Sequence, residues 1–183
     1  MKKLIAAGSI FIFAILLYFI PLLSEPADRT MKENELKSAL LYKICKFTRW
    51  SRPVNAGKSF IITILGPTTP GNEITIPPEK MVQDKRIVIK KIKKLIDIRD
   101  SHVLFITAPE AYRLNEILSY TEGKDILTVS DTRGFSEKGV IINFYVEDAQ
   151  VKFEINREAE EKSAIKLYSQ VFRNGKIVED EKK

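Results

Sequence analysis

From Leu4 to Leu23 the chain carries no charge, and Lys2 and Lys3 stand just before that run. A helix of about 20 residues spans about 30 Å, enough to cross a hydrocarbon core. The exit, Pro21-Leu22-Leu23-Ser24-Glu25-Pro26-Ala27, lacks the small-x-small pattern at which signal peptides are cut. Residues 1–23 are therefore expected to form an N-terminal membrane anchor, with a cleaved signal peptide as the alternative. Either exports the rest of the chain and keeps the two lysines inside. Residues 24–32 read as a polar linker, and the domain proper as residues 33–172.

The exported part begins with a helical pattern from Glu33 to Trp50. Leu36, Ala39, Leu40, Ile44, Phe47 and Trp50 recur at spacings of three and four, with Lys43 inside the stripe and Cys45 opposite it. Arg52-Pro53 is expected to end the helix. Ser59–Leu65, Arg86–Lys90, Val103–Thr107 and Ile126–Ser130 read as strands, and the apolar ones have the composition of strands buried on both faces. Pro77–Val82 predicts a short helix, and Pro109 opens another that ends at Glu122-Gly123. This alternation is the βαβ signature of a parallel sheet. Val140–Val146 and Val151–Ile155, joined by four polar residues, predict an antiparallel hairpin, so the sheet is mixed. A last helix is expected from Arg157 to Phe172, then a fraying polar tail at 173–183. The fold class is thus α/β: a single domain with a mixed, largely parallel sheet flanked by helices, behind an N-terminal hydrophobic segment.

Composition narrows the chemistry. The 183 residues include one Cys and one His, which removes intramolecular disulfides, Cys-rich zinc sites and paired-His chemistry. The net charge is +6; without Lys2 and Lys3, 28 basic and 24 acidic residues remain. The dense run Lys85, Arg86, Lys90, Lys91, Lys93 and Lys94 has no interleaved aromatics and belongs to an exported domain, so it reads as a solvated edge and nucleic acid is not expected. No Gly-rich phosphate loop, nucleophile elbow or metal motif is present, and no metal or cofactor is expected.

In open α/β sheets ligands sit outside the carboxyl ends of strands. Ser130, Asp131, Arg133, Gly134 and Phe135 follow such a strand and form the first candidate ligand or partner site. Asp131 can accept from an amine or hydroxyl, and Arg133 can meet a carboxylate or phosphate. The plainer reading is a turn in which Gly134 takes a positive φ and Phe135 plugs the core. Lys43, inside an apolar stripe, and Trp50, as a core or lid residue, complete the candidates. His102 is expected to be a structural imidazole. Asp97, Asp100 and Glu110 lie loosely around it in sequence, without a visible acid–base pair. Asn143 and Asn156 are expected to satisfy backbone groups at the hairpin. Cys45 is expected to be a buried thiol, although its place opposite the stripe leaves exposure open.

Several blocks together resemble the YfiR-like family: the helix Glu35–Trp50, Ser101–Ile106, Leu127–Asp131 with Gly134-Phe135, Gly139 and Ile142–Phe144, then Val151–Asn156 and Ile165–Gln170. They span residues 33–172 in order. The resemblance implies an exported α/β domain without catalysis that binds and restrains a membrane signalling protein, a diguanylate cyclase or a sensor kinase, from the periplasmic side. A homodimer stays open. The chain departs from the family at Lys43, where relatives often carry Asn, and at Ser101, where they often carry Cys. With Cys45 alone it has no internal disulfide by which to sense redox state. A second reading is a periplasmic small-molecule binding protein serving a transporter or sensor, its pocket at Ser130–Phe135. A hydrolase is the weakest reading, because no nucleophile, base and orienting group assemble.

Overall fold

The computed structural model describes residues 25–51, 59–68 and 73–180. The hydrophobic run at Leu4–Leu23 lies outside them. Among the described residues no helix is long and apolar enough to cross a membrane.

Helix α1 (Glu25–Lys46) starts inside the stretch expected as a linker. It ends earlier than Arg52-Pro53 requires, because Thr48 Oγ1 donates back to the Ile44 carbonyl at 2.7 Å and the chain then turns extended. The short strand β1 (Thr48–Arg49) pairs antiparallel with β9 (Lys166–Leu167). The buried face of α1 is also rotated from the expected stripe. Lys37, Ser38, Leu41, Ile44 and Cys45 are buried, whereas Leu36 is 50% and Phe47 41% exposed. Apolar spacing alone picked the wrong side because the polar residues on the true side find tertiary partners: Ser38 Oγ accepts from the Thr75 backbone N–H at 3.0 Å. Cys45 faces the core, and burial pushes its thiol well above the ordinary value.

The main sheet runs β10 (Lys176–Val178), β8 (Gln150–Asn156), β7 (Ile142–Glu147), β6 (Leu127–Ser130), β5 (Val103–Ile106), β2 (Ser59–Leu65), β4 (Lys85–Ile92), β3 (Met81–Val82). The five strands from β7 to β4 are mutually parallel, β7 and β8 form the expected antiparallel hairpin, and β10 runs parallel to β8. The expected α/β class, with a mixed, mostly parallel sheet in one domain, is what folds. Successive side chains of the inner strands point to opposite faces. Phe60, Ile62, Ile64, Val103 and Phe105 join Leu41 and Ile44 on one side, and Leu65, Leu104, Ile106, Leu114 and Phe135 pack on the other.

Three local expectations are corrected. Met81–Val82 is a strand, not a helix end. Gln83 and Asp84 both take positive φ, 48° and 61°, and turn the chain straight into β4. The last helix breaks into α3 (Arg157–Lys162) and α4 (Ser169–Asn174), since Ser163 Oγ caps the Glu160 carbonyl and the buried Glu160 carboxylate takes the Leu167 N–H at 3.0 Å. The tail is ordered through Val178, where β10 adds an edge to the sheet. Between β5 and β6 a 3-10 turn (Ala108–Arg113) leads into α2 (Leu114–Thr121), so the helix after Pro109 is present but starts as a tighter coil.

Candidate functional site

Strand β6 stops at Ser130 while its parallel neighbour β7 runs on to Glu147, so a cleft opens past the carboxyl end of β6. It has a volume of about 630 Å³, and Asp131, Arg133, Gly134, Asn143, Lys37 and Glu154 are among its lining residues.

Ser130 is fully buried and structural. Its hydroxyl donates to the Ile106 carbonyl at 2.7 Å and accepts from the Thr132 N–H at 3.2 Å, which turns the chain out of the sheet. Asp131 then meets Lys37 of α1 at 2.8 Å, and Lys37 also pairs with Glu33, one helical turn back, at 2.7 Å. Lys37 keeps only 7% of its side chain exposed. Burial opposes its charge, but the hydrogen bonds and charges of Asp131 and Glu33 prevail and hold its pKa above the usual lysine value. Arg133 is exposed beside the cleft. Gly134 has φ +81°, and Phe135, 2% exposed, packs under the loop against the second core cluster.

Behind this loop a row of cross-strand neighbours runs in register through Ser130, Asn143, Glu154 and Lys176. Glu154 accepts from the Ser136 hydroxyl and pairs with Lys176 at 3.3 Å. Asn143 is 1% exposed, yet its Oδ1 has no donor; Thr132 Oγ1 in the loop is likewise buried without a partner. Asn143 therefore does not satisfy the backbone as expected. Asn156 does: it caps α3 by accepting from the Ala159 N–H at 2.7 Å and donates to the Ser136 carbonyl.

The other two candidates lie elsewhere. Lys43 is exposed on the outer side of α1, between a groove reaching Ile76–Pro78 and one reaching Val151 and Phe153. Trp50 is 6% exposed, packs edge-on to Phe60 at 5.1 Å and donates to the His102 carbonyl at 3.2 Å. Sequence reasoning missed Lys37, Glu33 and Asn143. The Glu33/Lys37 spacing of four was a visible helix-pair signal; the orphaned oxygen had none.

His102 belongs to the Trp50 cluster, not to the cleft. Its ring stacks on Phe60 at 4.7 Å, and its Nδ1 accepts from the Ile61 N–H at 3.0 Å, which requires the neutral ring. Burial and then Lys85 lower its pKa, against the opposing effect of Asp125. The folded value lies below the unfolded value of about 6.5, so this contribution to stability is intact above about pH 6.5 and is lost as pH falls through the folded value. Urea melts from pH 7.5 down to 5 should show that loss in the wild type and a flatter profile in His102→Gln. Matching profiles would assign the acid sensitivity to other groups.

The site is thus a polar cleft at the carboxyl end of one strand of a largely parallel sheet, and the chain's single imidazole lies outside it, packed against Phe60. The chain belongs to the YfiR/HmsC-like family, a family of periplasmic regulators, whose model matches residues 34–176. No curated protein matches the chain.

Proposed function

We propose that this chain is a non-enzymatic extracytoplasmic module that binds and restrains a membrane signalling protein, a diguanylate cyclase first and a sensor kinase second. The observation that carries this reading is membership of a family of periplasmic regulators of diguanylate cyclase, matched over residues 34–176. In this reading the module sits at the inner membrane, either held by residues 4–23 or released by cleavage; intact mass of the native protein separates the two. The mechanism is differential binding: the module favours the inactive conformation of its partner's periplasmic part, and a preference of about 2.7 kcal/mol shifts that balance roughly 100-fold. The loop at Asp131–Phe135 is the contact we assign, with Arg133 available at its surface.

Deleting the gene should raise cellular cyclic-di-GMP. Arg133→Ala should do the same while the domain stays folded, whereas Phe135→Ala should unfold it, because removing a buried ring costs about 3–5 kcal/mol. Unchanged nucleotide levels in the deletion strain would remove the cyclase as the partner. The second reading, a small-molecule binding protein serving a transporter or sensor, is favoured by one observation, the cleft at Asn143.

A further inference from the structure

We propose that the groove between α1 and residues 73–80 binds a free fatty acid, its hydrocarbon chain laid along the helix and its carboxylate between Lys43 and Lys80. The inference is independent of control of a membrane partner, and this groove is separate from the cleft at the end of β6.

The sequence puts Met31, Glu35, Ala39 and Tyr42 on one face of α1, at spacings of four, four and three. With them Ile76, Pro77 and Pro78 line a groove of about 760 Å³, a volume in the range of small-molecule sites. Its two walls are tied together by the protein itself. Ser38 Oγ accepts from the Thr75 N–H at 3.0 Å, and the Tyr42 hydroxyl donates to the Met81 carbonyl at 3.3 Å. Met31, Ala39, Pro77 and Pro78 are nonetheless exposed, so the hydrocarbon of the groove faces water. Covering it with a hydrocarbon chain is favourable.

Charge decides which amphiphile the groove takes. Lys80 Nζ lies 5.6 Å and Lys46 Nζ 6.0 Å from the centre of the Tyr42 ring, and Lys43 lines the groove next to Tyr42 in the chain. Among the described residues none of these three ammonium groups meets a carboxylate. Of the two carboxylates in the lining, Glu73 is held by Lys91 at 2.5 Å. The other, Glu35, stands two turns of helix before Tyr42, about 10 Å away along the axis. Three unpaired cations at one end outweigh the lone Glu35 toward the other. An apolar length with a cationic end fits a single-chain anion, and a carboxylate there gains charge-assisted hydrogen bonds from the lysines.

The test is photo-crosslinking of the full-length chain, in the envelope fraction of expressing cells, with a diazirine-bearing laurate and mapping of the labelled peptides by mass spectrometry. Labels should fall within residues 31–42 and 76–78. Free laurate, below its micellar concentration, should compete. Decanoate should compete about tenfold less well, because it buries two fewer methylenes. Dodecylammonium, the same chain with the opposite charge, should also be at least about tenfold weaker. Lys43→Glu combined with Lys80→Glu should weaken laurate competition by about tenfold or more. Ala39→Trp, which fills the groove, should abolish labelling at residues 76–78. All three positions are exposed, so the circular dichroism spectra should match the wild type. If Ala39→Trp does not fold, the lysine pair decides. Labelling confined to residues 4–23, equal competition by dodecylammonium, or wild-type competition in the folded variants would each overturn the proposal.

Discussion

Lys37→Met should destabilise the domain by about 3 kcal/mol, the lower end of what removing one partner of a buried ion pair costs. Methionine keeps the length and most of the apolar stem, so the loss reports the charge and not a cavity. What remains is Asp131, whose side chain is 14% exposed, with no cation at its carboxylate. Glu33 is 37% exposed and falls back on water, so its share is small. Adding Asp131→Asn should recover part of the loss, because the amide is easier to leave in that place than an uncompensated charge. A double-mutant cycle should then return a coupling of about 1–3 kcal/mol. The alkaline limb provides a second readout. The folded pKa of Lys37 is raised above its unfolded value of about 10.4. Its stabilisation is therefore fully present below about pH 10.4 and disappears as pH rises through the folded value. Lys37→Met should lack that component of the alkaline loss. A change in stability under about 0.5 kcal/mol, the scatter of ordinary surface substitutions, would mean that α1 docks through Leu41, Ile44 and Cys45 alone and that the ion pair is incidental.

How much of this was legible beforehand depended on the range of the interaction. The inner strands were readable because burial on both faces leaves nearly continuous apolar runs, as at Ser59–Leu65 and Val103–Ile106. The β7–β8 hairpin was readable because alternation and a short polar connection are local signals. The break in the last helix was not, because the group that ends α3 is a buried side chain, Glu160, reaching forward to Leu167. Nor was β10: three residues of edge strand owe their conformation to β8, some 20 residues earlier. The candidate cleft divides the same way. Ser130–Phe135 could be found from its place after a parallel strand. Lys37 could not be attached to it, since it lies 94 residues before Asp131 and sat outside the apolar stripe by which the helix face was chosen. Lys43 was chosen by that same criterion and faces solvent. The helix turns its less apolar side inward because Lys37 and Ser38 satisfy their polar atoms there, which a count of hydrophobic residues does not register.

Gly66→Ala and Gly134→Ala should separate two consequences of a positive φ. Both glycines lie in that region, at +98° and +81°. At Gly134 the nearest atom to an added Cβ is Glu137 Oε2 at 4.0 Å. Alanine there meets only the backbone penalty, about 1–2 kcal/mol. Gly66 stands at the carboxyl end of β2, where the chain order sends β4 to one side and β5 to the other. In sheets of this kind that divergence usually leaves a crevice for a ligand. Here the protein fills it with its own groups. Thr107 Oγ1 donates to the Leu65 carbonyl at 3.0 Å, and Glu110, 6% exposed, is bound by Arg113 at 2.5 Å. A Cβ on Gly66 would run into Thr107 Oγ1 and come within 2.8 Å of the Glu110 carboxylate. The hydroxyl and a buried, paired charge would both have to move, so Gly66→Ala should cost the backbone penalty and about 2–3 kcal/mol more from the disturbed polar groups. Equilibrium urea unfolding of the two variants gives the comparison directly. Equal losses would mean that Thr107 and Glu110 yield without cost, and that the crevice at the head of β2 is open enough to compete with the cleft at β6 as the place where this domain receives a ligand.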